Sequence, residues 1–257
     1  MLKKKIFKDK LSNLLKKLKI LPGDNVLIHS NTAGIHQFLD NKKNENLNFF
    51  IKVILDYIGK KGTLVFPTYN YDFTKRKTFN RKKSPSHVGE LGNFLIKQKS
   101  SNRTYDPVFS HIVFGKLKKD LFSCDIKDAF GDKSIFNYIL KKNFKIICFC
   151  CSPATITFIH FIEKKVNVNY RYDKYFKSYN IINNKRINIK YKYCVGKKHV
   201  DYSLKEKKIY NLLGSKLIVK DFGNFSCCQV NTKVLFKFIT SKLKKNNRFL
   251  INNENKL

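Results

Sequence analysis

Three short runs of the chain are apolar without alternation: Asn25-Val-Leu-Ile-His29, Gly62-Thr-Leu-Val-Phe66 and Phe144-Lys-Ile-Ile-Cys-Phe-Cys150. A strand with one wet face alternates polar and apolar residues, whereas a strand buried on both faces does not need to. Turn residues bound these runs, with Pro22-Gly23-Asp24 before the first and Pro67 after the second. They therefore predict inner strands of a sheet with helices on both sides, and residues 110–114 predict another strand. Helical periodicity covers 2–20, 46–59, 88–98, 134–140 and 231–244, with a further helix opening near Ala154 after Ser152-Pro153. Residues 179–195 alternate about an Asn183-Asn184 turn, which predicts a β-hairpin. The expected fold class is α/β. It is a single domain over residues 1–257 with a mixed central sheet flanked by helices, an N-terminal helix within 1–21, a late hairpin insertion at 179–195 and a frayed tail at 245–257.

The chain's 257 residues are ample for a core, and no run approaches the ~18 apolar residues of a membrane span. Seven cysteines, an odd number and partly adjacent, make a poor disulfide framework, so a cytoplasmic protein is expected. Cys148-Phe-Cys150-Cys151 contains a Cys-x-x-Cys without a second pair at metal spacing, so buried thiols and no metal are expected.

A formal charge of +35 attracts polyanions. The lysines are scattered, however, and the abundance of Lys, Asn, Ile, Phe and Tyr is what an AT-rich genome produces. No nucleic-acid partner is therefore expected, although the charge still disfavours cationic substrates. The first helix is basic and amphipathic, and packing on the core is its expected role. Self-association as a homo-oligomer stays open.

Several chemistries lack their motifs. There is no Gly-x-Gly for dinucleotides or for the commonest acetyltransferase fold, no P-loop and no nucleophile elbow. The stretch Thr157-Phe-Ile-His160-Phe-Ile-Glu163 stands out instead, with a hydroxyl, an imidazole and a carboxylate spaced three apart on one helical face. A solvated helix face would carry the same residues. Phe158, Ile159, Phe161 and Ile162 around them suit a general base held by a carboxylate equally well.

Five blocks in order resemble the aminoglycoside 3-N-acetyltransferase family: GDNVLIHSNTAGI (23–35), GTLVFPTYN (62–70), SPSHVGELGNF (84–94), RTYDPVFSHIVFG (103–115), and the group FGDKSIFNYI (130–139), TFIHFIE (157–163) and YRYDKYF (170–176). The resemblance implies transfer of acetyl from acetyl-CoA to a small-molecule amine. It makes His160 the base and Glu163 its orienting partner, with Thr157 and Ser110 as candidate oxyanion donors. His29, Ser30, Asn31, Thr68 and Ser110 are the expected cofactor-binding residues; for the His29 turn and Thr68 the implied contact is the pantetheine and diphosphate path.

Two departures bear on the acceptor. Asn31 stands where the family has a second serine, and Asp106-Pro-Val-Phe-Ser110 stands where drug-modifying members show His-Pro-x-x-Ser. Asp106 is therefore a candidate for binding an amine or a sugar hydroxyl, and an acidic turn residue is the plainer alternative. In the Tyr170-Arg171-Tyr172 run the arginine can hold a phosphate, pair with Asp173 or lie on the surface. Aminoglycosides are polycations, so charge favours a nucleotide-linked amino sugar of a surface polysaccharide as acceptor. An aminoglycoside is the alternative, and an inactive relative that binds nucleic acid or an anionic surface comes third.

Overall fold

The computed structural model describes residues 2–40 and 42–251. The helices are α1 (Leu2–Lys17), α2 (Ala33–His36), α3 (Lys43–Ile58), α4 (Glu90–Lys99), α5 (Lys118–Phe122), α6 (Ile135–Lys141), α7 (Phe158–Val166), α8 (Glu206–Leu213) and α9 (Thr232–Lys245). The strands are β1 (Asn25–Ser30), β2 (Thr63–Pro67), β3 (Phe79–Asn80), β4 (His111–Gly115), β5 (Lys145–Phe149), β6 (Arg171–Ile182), β7 (Lys185–Gly196), β8 (Ile218–Phe222) and β9 (Phe225–Asn231).

A six-stranded sheet runs in the order β4-β2-β1-β5-β9-β8, with β2, β1 and β5 parallel and β4 and β9 antiparallel to their neighbours. The mixed α/β architecture expected of the sequence is present. The apolar runs explain themselves, because each inner strand feeds two cores. Leu27, Val65, Ile146 and Cys148 enter one core, while Val26, Ile28, Leu64, Phe66, Ile147 and Phe149 enter the other. Nearly every side chain of these strands leaves water, at about 25 cal/mol per Å² of apolar area buried. Gly115 (φ +99°) closes the β2–β4 edge, where a Cβ would lie 2.2 Å from the Gly62 carbonyl oxygen.

Helix α1 buries Phe7, Leu11, Leu14 and Leu15, so its apolar face is used on the core. Among the described residues no helix is long and apolar enough to cross a membrane. The hairpin is longer than its alternation predicts: β6 and β7 pair from Arg171↔Gly196 to Ile182↔Lys185 around Asn183-Asn184, both at positive φ. It forms a second sheet with β3, through Phe79↔Asn180 and Asn80↔Ile181 only. The expected fraying at 245–257 does not begin at its first residue, because Leu250 and Ile251 are fully buried in the core; residues 252–257 lie outside the described residues.

Candidate active site

Helix α7 opens later than the sequence suggests. Ser152 caps a short 3-10 turn at Pro153–Thr155, its hydroxyl accepting from Ala154 N, and α7 starts at Phe158 with Thr157 as N-cap. The Phe158, Ile159, Phe161 and Ile162 side chains are buried and clamp the helix on the core. That leaves one polar face, on which the spacing of three brings His160 Nδ1 to 2.7 Å from Glu163 Oε2. Thr157 does not reach the imidazole: its carbonyl accepts from the His160 backbone N–H.

Glu163 is fully buried and saturated. Tyr170 Oη donates to Oε1 at 2.6 Å, and Arg171 Nε lies 2.7 Å from Oε2. The Arg171 contact is a charge contact, not an aligned hydrogen bond. Burial alone would push the carboxyl up; the His160, Arg171 and Tyr170 contacts outweigh it and hold Glu163 below its ordinary value. Arg171 Nη2 also lies 2.9 Å from His160 Nδ1. One ring nitrogen cannot both donate to Glu163 and accept from Arg171. The ionised carboxylate is the stronger partner, so Nδ1 is assigned the proton and Nε2 the lone pair. Burial first and the Arg171 charge second keep His160 below the ordinary imidazole value, against the pull of Glu163. The His160 side chain is 25% exposed, so the ring is not sealed from solvent.

A cavity of about 320 Å³ lies at the N-terminal end of α7 and at the C-terminal ends of β1 and β2. His29, Ser30, Pro67, Tyr69, Gly89, Gly92, Cys151, Thr155 and Thr157 contribute to its walls, and no carboxylate of the described residues lines it. Tyr69 Oη is 3.2 Å from His111 Nε2 and also engages the Thr157 side chain, which joins the cavity wall to the start of α7. His29 Nε2 and His111 Nδ1 are buried without a partner. Desolvation holds the two rings neutral, His29 lowered to about 4 and His111 to about 3. A buried, unpartnered ring nitrogen in a cavity wall is what a polar ligand would satisfy.

Of the residues singled out in the sequence, the cavity takes in His29, Ser30 and Thr157, and the neighbouring network takes in His160, Glu163, Tyr170 and Arg171. The others lie elsewhere. Asn31 is exposed and uses Oδ1 to receive Ala33 N at the start of α2. Thr68 and Ser110 are fully buried and bond each other: Thr68 Oγ1 donates to the Ser110 carbonyl at 3.0 Å and Ser110 Oγ to the Thr68 carbonyl at 2.7 Å. Neither hydroxyl is free to donate to an oxyanion or a cofactor.

Asp106 receives Val108 N, Phe109 N and Tyr191 Oη, and burial pushes its carboxyl up to about 6. That is an anchor for the loop before β4, the plainer of its two readings, and it presents nothing to an acceptor. Arg171 points inward to Glu163, while Asp173 pairs with Lys164. Tyr170 is fully buried and serves Glu163, which leaves neither residue as a surface clamp for substrate.

Sequence reasoning missed Tyr69, His111 and Arg103. Arg103 is fully buried without a carboxylate, spending its donors on the Ser110 hydroxyl and on the carbonyls of Thr68, Arg81 and Ser84. Desolvation lowers it to about 9. All three lie inside the blocks quoted above, and Tyr69 adjoins Thr68, so inward-facing polar residues of those blocks were the available signal. Among the described residues no three His, Cys, Asp or Glu side chains converge as a metal site.

The sequence profile of the aminoglycoside 3-N-acetyltransferase family matches residues 27–244, and the chain belongs to that family of N-acetyltransferases. Solved structures agree on the fold. AAC-IIIb in binary complex with CoASH superposes with a TM-score of 0.79 at 15% identity, covering 96% of this chain and 98% of that one. The YokD protein of Bacillus subtilis gives 0.73 at 16%, covering 93% and 99%. A histidine-to-alanine mutant of AAC(3)-IVa in complex with a gentamicin gives 0.73 at 14%, covering 95% and 91%. No curated protein matches the sequence.

Proposed function

We propose that this chain acetylates a primary amine of an aminoglycoside-type acceptor, with acetyl-CoA as the acetyl donor, in the cytoplasm. The observation that carries the reading is the His160–Glu163 pair beside a cavity whose wall includes an unpartnered histidine nitrogen. A relative binds CoASH and another binds a gentamicin, which supports both halves of the reaction. Seven free thiols suit a reducing compartment.

The cavity volume falls within the roughly 300–1,000 Å³ range of small-molecule sites. Its residues fit the thioester end of the donor: His29 Nε2 lacks a partner and Ser30 offers a hydroxyl. Acetyl-CoA supplies an activated acetyl group. An ammonium is no nucleophile, so His160 Nε2 takes a proton from the acceptor amine as it attacks. Glu163 holds the ring through Nδ1 and stabilises the imidazolium that forms. Thr157, at the junction of cavity and helix, is the candidate donor to the acetyl oxygen, exchanging its contact with Tyr69 for that bond.

A second reading rests on charge. Carboxylates around the site are occupied: Glu163 by Arg171, Asp173 by Lys164, Asp72 by Lys77 and His87, and Glu90, between the lining residues Gly89 and Leu91, by Thr32 and His36. With no free carboxylate among the described residues of the cavity wall, a polycation finds little to anchor it, and a nucleotide-linked amino sugar is the alternative acceptor. CoA release measured against kanamycin-type drugs and UDP- or dTDP-amino sugars separates the two. Preference for the drug supports the first reading and preference for the sugar nucleotide the second. Release from neither defeats both.

A further inference from the structure

Arg171, the first residue of β6, comes to the dyad from outside its helix. Its side chain is 3% exposed, with Nε 2.7 Å from Glu163 Oε2, Nη2 2.9 Å from His160 Nδ1 and Nη1 3.5 Å from the Cys194 carbonyl. Its guanidinium lies over the Tyr202 ring at 5.3 Å. A buried carboxylate 2.7 Å from an imidazole, left alone, favours the imidazolium. An imidazolium has no lone pair with which to deprotonate an amine. The guanidinium changes this balance twice, by engaging the carboxylate oxygen that faces the ring and by setting positive charge beside the ring itself.

We propose that Arg171 is a positioning residue for acetyl transfer: its guanidinium offsets the Glu163 carboxylate, so that His160 stays a neutral imidazole with Nε2 open at neutral pH. The inference rests on the reading of His160 as base. Burial, then the Arg171 charge, lowers the imidazole, and Glu163 alone opposes them. The other titratable groups nearby have different partners. Tyr170 serves Glu163 Oε1, Asp173 pairs with Lys164, and the Cys194 and Tyr202 side chains adjoin the guanidinium. The depth of Arg171 also argues against its use as a phosphate clamp.

The test is the His160 ring titration followed by NMR, assigned through His160→Gln, together with kcat/KM against pH. In Arg171→Met the ring midpoint moves to higher pH, and kcat/KM at pH 7 falls about tenfold and recovers as pH rises. Arg171→Lys, which keeps the charge, stays near the wild-type midpoint. A midpoint in Arg171→Met at or below that of wild type overturns the proposal. Because the titration needs no turnover, a protein that acetylates nothing still reports on Arg171, so loss of the functional reading and loss of this one are distinct results. If Arg171→Met does not fold, the Glu163→Gln/Arg171→Met double variant removes both buried charges. Its ring midpoint is expected above that of Glu163→Gln alone, and equal midpoints overturn the proposal.

Discussion

Two histidine-bearing regions meet near the start of α7 and solve burial in opposite ways. Around His160 the chain gathers charge, with an ionised carboxylate, a guanidinium and a phenol in contacts of 2.6–2.9 Å. Around His29 and His111 it gathers none, and each ring keeps one nitrogen without a partner. The first region keeps a proton acceptor tuned by neighbours. The second keeps neutral rings chiefly by desolvation, with the neighbouring His29 adding to it at His111, and leaves polar capacity for a ligand at His29. Buried polarity is costly in both, but only in the first is the cost met within the protein.

The contrast can be broken first at His160. His160→Ala should lower kcat by about 10²–10⁴-fold with the fold retained, as loss of a positioned general base does. CoA-release kinetics alongside circular dichroism check this, and a loss under threefold would strip the dyad of its role. Next, Glu163→Ala leaves Arg171 buried and unpaired, which should cost about 3–5 kcal/mol in urea unfolding. Glu163→Gln should cost clearly less.

The neutral region predicts acid lability. His29 and His111 have folded values near 4 and 3, below the ordinary 6.5. Their stabilisation is therefore complete above pH 6.5 and is lost as pH falls through that window toward 4 and then 3. Asp106, raised to about 6, acts the other way, adding stability as pH falls from about 6 toward 3.8. Two histidines against one aspartate leave a net loss on acidification. His29→Gln should shrink the pH 7-to-4 loss of unfolding free energy by about 3 kcal/mol. An unchanged pH dependence would mean that the His29 nitrogen is hydrated. The smallest effect is expected from Tyr170→Phe, about 1–2 kcal/mol in urea for one buried bond to a charged acceptor.

What was legible in the sequence follows the range of the interactions. The inner strands and the His160–Glu163 pair depend on residues within a few positions of each other, so period and spacing were enough to find them. Tyr170 and Arg171 lay inside a quoted block, but their aim depends on the turn at 167–170 between α7 and β6, and the sequence left Arg171 open between a phosphate contact, a pair with Asp173 and the surface. Thr68, Ser110 and Asp106 look like site residues because they are polar; the structure spends them on one another, on Arg103 and on Tyr191, partners set by tertiary packing. The β8–β9 pair escaped notice because Ile218–Phe222 carries Lys220 and Asp221 and Phe225–Asn231 carries no clean alternation. The hairpin was read short because Tyr172 to Tyr175 are all exposed and give no period.

That hairpin has a mechanical meaning. Its twelve rungs make it stiff along its length, and it is tied down well beyond its two rungs to β3: Lys192 exchanges backbone bonds with Lys127 and Ala129, Tyr191 Oη bonds Asp106, and Asn180 Nδ2 donates to the Tyr105 carbonyl. Arg171 sits at the first rung of that ribbon, with its guanidinium in the dyad. The positive charge beside His160 is therefore carried by a rigid ribbon and not by a loop. The base thus owes its fixed electrostatic setting to a β-ribbon anchored as far as its turn, where Asn183 Oδ1 accepts from Tyr105 Oη.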